Sequence, residues 1–169
     1  MDAACLPGVG LVKPAALVEA EVRSLLENVV DPDIPFLSIA DIAILRDVSV
    51  AESGRVTVTI TPTYSGCPAM GVITEDIGAA LVDGGYRDVS VDLVYSPAWT
   101  TEWMSAEAKA KLAANRIAPP GPLGIAAEVL CPSCSSDAIR TASQFGSTAC
   151  KSLMVCTTCG EPFDHFKAI

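Results

Sequence analysis

The sequence predicts an α+β fold: a small mixed sheet with covering helices, followed by a cysteine-rich ribbon at the C-terminus. Three observations lead there. Helical and strand periodicities alternate through the first two thirds of the 169 residues. A run rich in proline and glycine interrupts them near residue 120, and five of the seven cysteines follow it.

Composition supports two modules. Half the residues are hydrophobic and 18% are charged, which is enough apolar material for a core. Residues 1–130 hold 17 acidic and 8 basic side chains, whereas 131–169 hold three of each, for a formal charge of −9 overall. That acidic balance argues against nucleic acid or an anionic membrane as partner. No apolar run approaches the roughly 20 residues that cross a bilayer. Asp2, with no basic residue before Lys13, departs from the plan of a signal peptide, so a cytoplasmic, reducing location is the default expectation.

The first helix is expected from about Ala15 to Val30, where Val18, Val22, Leu25, Leu26 and Val29 share one face. Asp31-Pro32-Asp33-Ile34-Pro35 stops it and opens a loop. Ile44 to Val50 and Arg55 to Pro62 read as a hairpin around Ala51-Glu52-Ser53-Gly54, with Val56, Val58 and Ile60 alternating with threonines. Pro68 opens a second helix that buries Met70, Ile73, Ile77 and Leu81 and ends at Gly84-Gly85. Val89, Val91 and Leu93 make a third strand, and Ser105 to Arg116 a short helix. The predicted domains are 1–117, a linker over 118–130 containing Pro119-Pro120-Gly121-Pro122, and the tail 131–169.

In the tail, Cys131-Pro-Ser-Cys134 and Cys156-Thr-Thr-Cys159 form two C-x2-C pairs 21 residues apart. Each pair presents two thiolates to one side of a tetrahedral ion, so a structural Zn2+ held by Cys131, Cys134, Cys156 and Cys159 in a zinc ribbon is expected. Mononuclear iron or an iron–sulfur cluster also uses four thiolates. A pair of disulfides is disfavoured by a reducing location. Ile139, Thr141, Ser143 and Phe145 have strand character, and Leu153-Met154-Val155 can return beside them. Cys150 reads as a small buried apolar residue, with a ligand or redox role as the alternative. His165 is expected to pack or lie at the surface. As the lone histidine, it leaves little scope for a Cys–His or Ser–His catalytic pair.

In the first module, Cys67 falls between a strand and a helix start, where free amides and the helix dipole should favour its thiolate, while nearby carboxylates oppose it. Packing against the sheet is the ordinary alternative. Thr61, Thr63 and Ser65 could donate to an anion there. Asp31 and Asp33 could act as hard ligands, although a solvated acidic turn is commoner. Trp99 and Trp103 suit a core or contact surface.

Asp31-Pro-Asp-Ile-Pro-Phe-Leu-Ser-Ile, Thr61-Pro-Thr-Tyr-Ser-Gly-Cys-Pro-Ala-Met and Ser96-Pro-Ala-Trp-Thr-Thr-Glu-Trp-Met resemble the iron–sulfur assembly family that includes the SufT-like proteins. With Phe145-Gly-Ser-Thr-Ala-Cys-Lys-Ser and the second cysteine pair, the chain resembles the PaaD-like accessory proteins of the bacterial phenylacetyl-CoA epoxidase system. The resemblance implies a role in phenylacetate catabolism, maturing or maintaining a metal centre of the oxygenase, with its reductase or oxygenase subunits as partners. It matches Cys67 to the family's reactive cysteine and Asp31 to the acidic residue of its first motif. An accessory factor rather than a catalyst is expected, carrying transient iron–sulfur or persulfide cargo at Cys67. A purely structural or docking subunit is the alternative, and a homo-oligomer stays open. A thiol enzyme lacks a nearby histidine, and the tail's Arg140, Lys151 and Lys167 make a poor phosphate track and are instead candidate counter-charges for the zinc site.

Overall fold

The computed structural model describes residues 13–123 and 129–169. Cys5, the N-terminal reading and residues 124–128 of the expected linker lie outside the described residues.

Helix α1 (Ala15–Leu26) buries Val22 and Leu26 against the sheet. It is shorter than the apolar stripe suggests. Val29 is still buried, but through a turn, because the chain then extends into a small hairpin, β1 (Val30–Asp31) with β2 (Ile34–Ser38). Where the two prolines suggest only a loop, Pro32 occupies the turn and Pro35 sits exposed in a two-stranded sheet, where a missing donor costs little.

The central sheet has the order β3-β4-β5, from Leu45–Val50, Val56–Ile60 and Val89–Leu93. Strands β3 and β4 are antiparallel around the predicted turn, where Gly54 takes a φ of +86°. Strands β4 and β5 run parallel, Val56 beside Val89 and Ile60 beside Leu93. A parallel pair needs a long crossover, and α2 (Ala69–Asp83) supplies it, burying Met70, Ile73, Ile77 and Leu81. The mixed sheet with α1 and α2 packed on it is as the periodicities lead one to expect, whereas α3 contacts β2 of the small hairpin. Gly84 ends α2 where a Cβ would collide with the tip of Leu25, so its lack of a side chain also allows α1 and α2 to approach.

A 3-10 turn (Thr101–Trp103) precedes α3 (Ala106–Ala114), whose Ser105 hydroxyl caps the helix by accepting the Ala108 amide at 3.0 Å. The tail forms an antiparallel sheet in the order β6-β7-β8, from Ile139–Ser143, Lys151–Cys156 and Pro162–Phe166. Strand β8 holds His165 and is not announced by the sequence pattern.

This last strand joins the modules. Ala118 pairs in parallel with His165, donating to the Asp164 carbonyl and accepting from the Phe166 amide, both at 2.9 Å. Phe166 belongs to the same hydrophobic cluster as Trp99 and the sheet, and the Thr101 amide donates to the Ile169 carbonyl at 3.0 Å. A second, smaller cluster of Ala118, Cys131, Cys156 and Phe163 fills the ribbon. Among the described residues no helix is long and apolar enough to cross a membrane.

Candidate metal centres

The two C-x2-C turns converge. The sulfurs of Cys131, Cys134, Cys156 and Cys159 all lie within 4.8 Å of one another. Two cross-pairs join the turns, Cys131 to Cys159 at 3.7 Å and Cys134 to Cys156 at 3.6 Å. A tetrahedron of thiolates about 2.3 Å from zinc has edges of about 3.8 Å, so the donor set and its two cross-pairs fit that ion. Cys131 and Cys156 are buried, and Cys134 and Cys159 exposed.

The turns also supply amides. The Cys159 amide favours the Cys156 thiolate against its burial, and with help from the Thr158 amide and Cys134 its pKa falls to about 6. The Ser136 amide favours a Cys134 thiolate too, yet Cys159, burial, Cys156 and Cys131 outweigh it and push that pKa up to about 12. Thiols this close resist ionising together, and a divalent cation among them removes the conflict.

His165 is not part of this cluster. Its ring is half-buried on β8, with Nδ1 3.3 Å from the Ser152 hydroxyl, and burial depresses its pKa. The packing role expected of it is the one it has. Two of the three tail cations are not at the zinc site as expected: Lys151 is buried at the other end of β7, 3.7 Å from Asp164, and Lys167 lies over the Phe145 ring at 4.7 Å, whereas Arg140 pairs with Val155, next to Cys156.

Cys67 lies just before α2, half-buried, with its amide donating to the Tyr64 carbonyl at 3.1 Å. The expectation of a stabilised thiolate is corrected. Burial raises its pKa, and although the Ala69 amide favours the thiolate, the charges of Asp31, Cys150 and Asp33 reinforce the rise. The helix start contributes in the expected direction but is outweighed by burial and negative neighbours.

Asp31 is not the solvated turn residue that its setting suggests. It is 7% exposed, and its Oδ1 accepts the amides of Asp33 at 2.8 Å and Ile34 at 2.9 Å, closing the β1–β2 turn. Burial raises its pKa against those donors, Asp33 adds to the rise and Lys151 opposes it. Asp33 itself is exposed. Thr61 is buried, and with Thr63, Tyr64 and exposed Ser65 it borders a shallow groove that also reaches Tyr95 and Trp99. Trp99 is core, donating Nε1–H to the Ile42 carbonyl at 2.9 Å, while Arg46 covers Trp103 at 3.6 Å.

One member of the Cys67 group comes from the tail. Cys150, read as an apolar filler, packs on the same hydrophobic cluster as Cys67 and lies within charge range of both Cys67 and Asp31. Its half-burial agrees with that reading. Its proximity to Cys67 could not be read from the sequence, since β8 brings it there.

Known proteins match both modules. Residues 19–93 match the family described as iron–sulfur cluster assembly protein, and residues 118–167 the PaaD zinc beta ribbon domain. An Escherichia coli (strain K12) protein provisionally named as one of the subunits of 1,2-phenylacetyl-CoA epoxidase is 43% identical over 88% of this chain and 92% of its own. An Fe-S protein maturation auxiliary factor of Porphyromonas gingivalis is 36% identical over 56% of this chain and 90% of its own. The crystal structure of a DUF59 domain of unknown function from Bacillus anthracis superposes with a TM-score of 0.55 at 30% identity, over 58% of this chain and 93% of that one.

Proposed function

The chain belongs to the PaaD-like family, an iron–sulfur cluster assembly domain followed by a zinc ribbon, and from that premise we propose that it is a cytoplasmic accessory factor that loads or maintains a metal centre of a phenylacetyl-CoA epoxidase. The observation that carries this reading is the placement of half-buried Cys67 at the start of α2, which contacts the strand β1 that carries buried Asp31. Burial raises the pKa of both groups, a setting that an incoming cation stabilises.

In this reading Cys67 holds iron, sulfide or persulfide sulfur as cargo rather than as a resident group, and it performs no turnover of its own. Asp31 shapes the loop beside it and supplies a hard oxygen near a soft sulfur. The ribbon, folded on its own zinc, presents the client-binding surface. The epoxidase reductase and oxygenase components are the clients to test.

The test is Cys67→Ala, co-expressed with those components. It should leave zinc content and folding intact and lower the client's iron occupancy. Full occupancy would remove the cysteine from the function and favour a docking subunit, which the β8 junction between modules also suits.

A further inference from the structure

We propose that the outer edge of β5 is a dimerisation surface, on which a second copy of this chain pairs antiparallel about a twofold axis at Val91 and joins two three-stranded sheets into one. This goes beyond the function proposed above and does not depend on it.

The edge is open and regular. Strand β5 ends the order β3-β4-β5, and its register with β4 runs from Val56 beside Val89 to Ile60 beside Leu93 without a shift. The Val56 amide donates to the Asp88 carbonyl and the Val94 amide to the Ile60 carbonyl, both at 2.9 Å. In a parallel ladder that phase turns the backbone of residues 88, 90, 92 and 94 towards β4, and leaves the amides and carbonyls of Val89, Val91 and Leu93 facing outward. Among the described residues no other segment pairs with this edge. Lysine, proline or a bulge commonly guards such an edge, and Val89-Ser-Val-Asp-Leu93 has none of them.

The core is also unfinished there. Val56, Val58 and Ile60 of β4 are fully buried, whereas their neighbours on β5, Val89 and Val91, are only half-buried and Leu93 is 41% exposed. A further strand on this edge would complete the same apolar layer.

The edge complements itself in one register. About Val91 the twofold sets Val91 against its own copy and each Val89 against Leu93 of the second copy, so every pair can exchange both of its N–H···O bonds. Ser90 then faces Asp92, a hydroxyl against a carboxylate, and just beyond the strand exposed Arg87 faces exposed Tyr95. Moving the axis to residue 90 opposes Asp88 to Asp92, and moving it to residue 92 opposes Asp92 to itself, both unfavourable. This self-complementarity selects a second copy over an unrelated strand. A pair of five-residue strands buries less than a permanent dimer does, so the association should depend on concentration. Because β4 and β5 run parallel, an antiparallel join sends the two loops that follow β4 and carry Cys67 to opposite ends of the joined sheet. Each copy keeps its own Cys67 site.

The full zinc-loaded chain is followed by sedimentation equilibrium from micromolar to near-millimolar concentration, where the mass should rise from that of one chain towards that of two. In residue-resolved amide exchange the Val89, Val91 and Leu93 amides should gain protection with concentration, a readout that needs no substitution. Ser90→Asp sets a carboxylate against Asp92 at both symmetric positions and should raise the dimer Kd about tenfold, whereas Ser90→Lys sets an ammonium there and should lower it. Should Ser90→Asp fold poorly, Ser90→Lys and the exchange of the parent chain decide.

A monomer throughout the range would overturn the proposal. So would a dimer whose three outward amides exchange alike at both ends of the range, since the copies would then meet elsewhere. Protection of those amides at every concentration in a monomer would show the edge closed by the chain itself, and would overturn it too. Equal effects of Ser90→Asp and Ser90→Lys on Kd would overturn the register about Val91.

Discussion

The rings of Trp99 and Phe166 pack 6.2 Å apart at 52° across the boundary between the modules, one from the segment after the central sheet and the other from the last strand of the ribbon. The last strand of the ribbon therefore contributes a residue to the main core. Truncating Phe166 to Ala should cost about 3–5 kcal/mol, as for other fully buried aromatics. Phe166 belongs to a different cluster from the residues around the cysteines, so zinc should stay bound. Denaturant unfolding with zinc analysis checks both outcomes.

Removing the zinc should unfold the ribbon first. Its own apolar cluster is small, and a domain of this size depends on its metal for much of its folding free energy. Chelation should abolish the β6–β8 signal in amide exchange. It should also raise exchange in the segment around Trp99, whose partner Phe166 lies on β8. Unchanged protection around Trp99 would show that the junction survives without the ribbon.

Cys67 should be a slow nucleophile in the absence of cargo. Burial raises its pKa, so its alkylation rate should keep climbing with pH beyond the range in which an ordinary thiol has levelled off. Asp31→Asn removes one of the charges responsible and should shift that profile to lower pH, read by mass spectrometry of the modified peptide.

The same substitution has a defined effect on stability. The folded pKa of Asp31 lies above its unfolded value, so the folded state binds more protons between the two, and this group adds stability as pH falls through the folded value. At pH 7 its charge opposes folding. Asp31→Asn keeps an oxygen for the Asp33 and Ile34 amides and should leave the melting temperature at pH 7 equal to or above the parent's, a difference that closes in acid.

Gly146 is predicted to be intolerant of even a methyl group. A Cβ there would stand 2.5 Å from Asp164 Oδ1 and 3.2 Å from Lys151 Cβ, where the Gly146 amide donates to the Lys151 carbonyl, one residue from Cys150. Gly146→Ala should cost about 1–3 kcal/mol and change Cys150 alkylation while sparing the zinc.

The elements with clean periodicity were legible in the sequence. Val56, Val58 and Ile60 announce a strand buried on one face, and the C-x2-C spacing announces the convergence of four sulfurs. The β1–β2 hairpin was hidden because proline ordinarily argues against strand, and only its exposed, two-stranded setting makes Pro35 harmless. Strand β8 was hidden because Pro162-Phe-Asp-His-Phe is short and mixed, and pairing with β7 rather than intrinsic preference makes it a strand. Without β8 the junction between the modules cannot be seen. The burial of Asp31 and the neighbours of Cys150 are tertiary facts that neither residue's local sequence encodes.

Strand β7 begins one residue after Cys150 and ends on Cys156. At about 3.3 Å per residue it is a ruler of roughly 20 Å with the free thiol of Cys150 at one end and a zinc ligand at the other. A partner that touches both ends of this strand must present a face at least that broad, whereas a small molecule can engage only one, so contact at the zinc knuckles and contact at Cys150 are separable by distance alone.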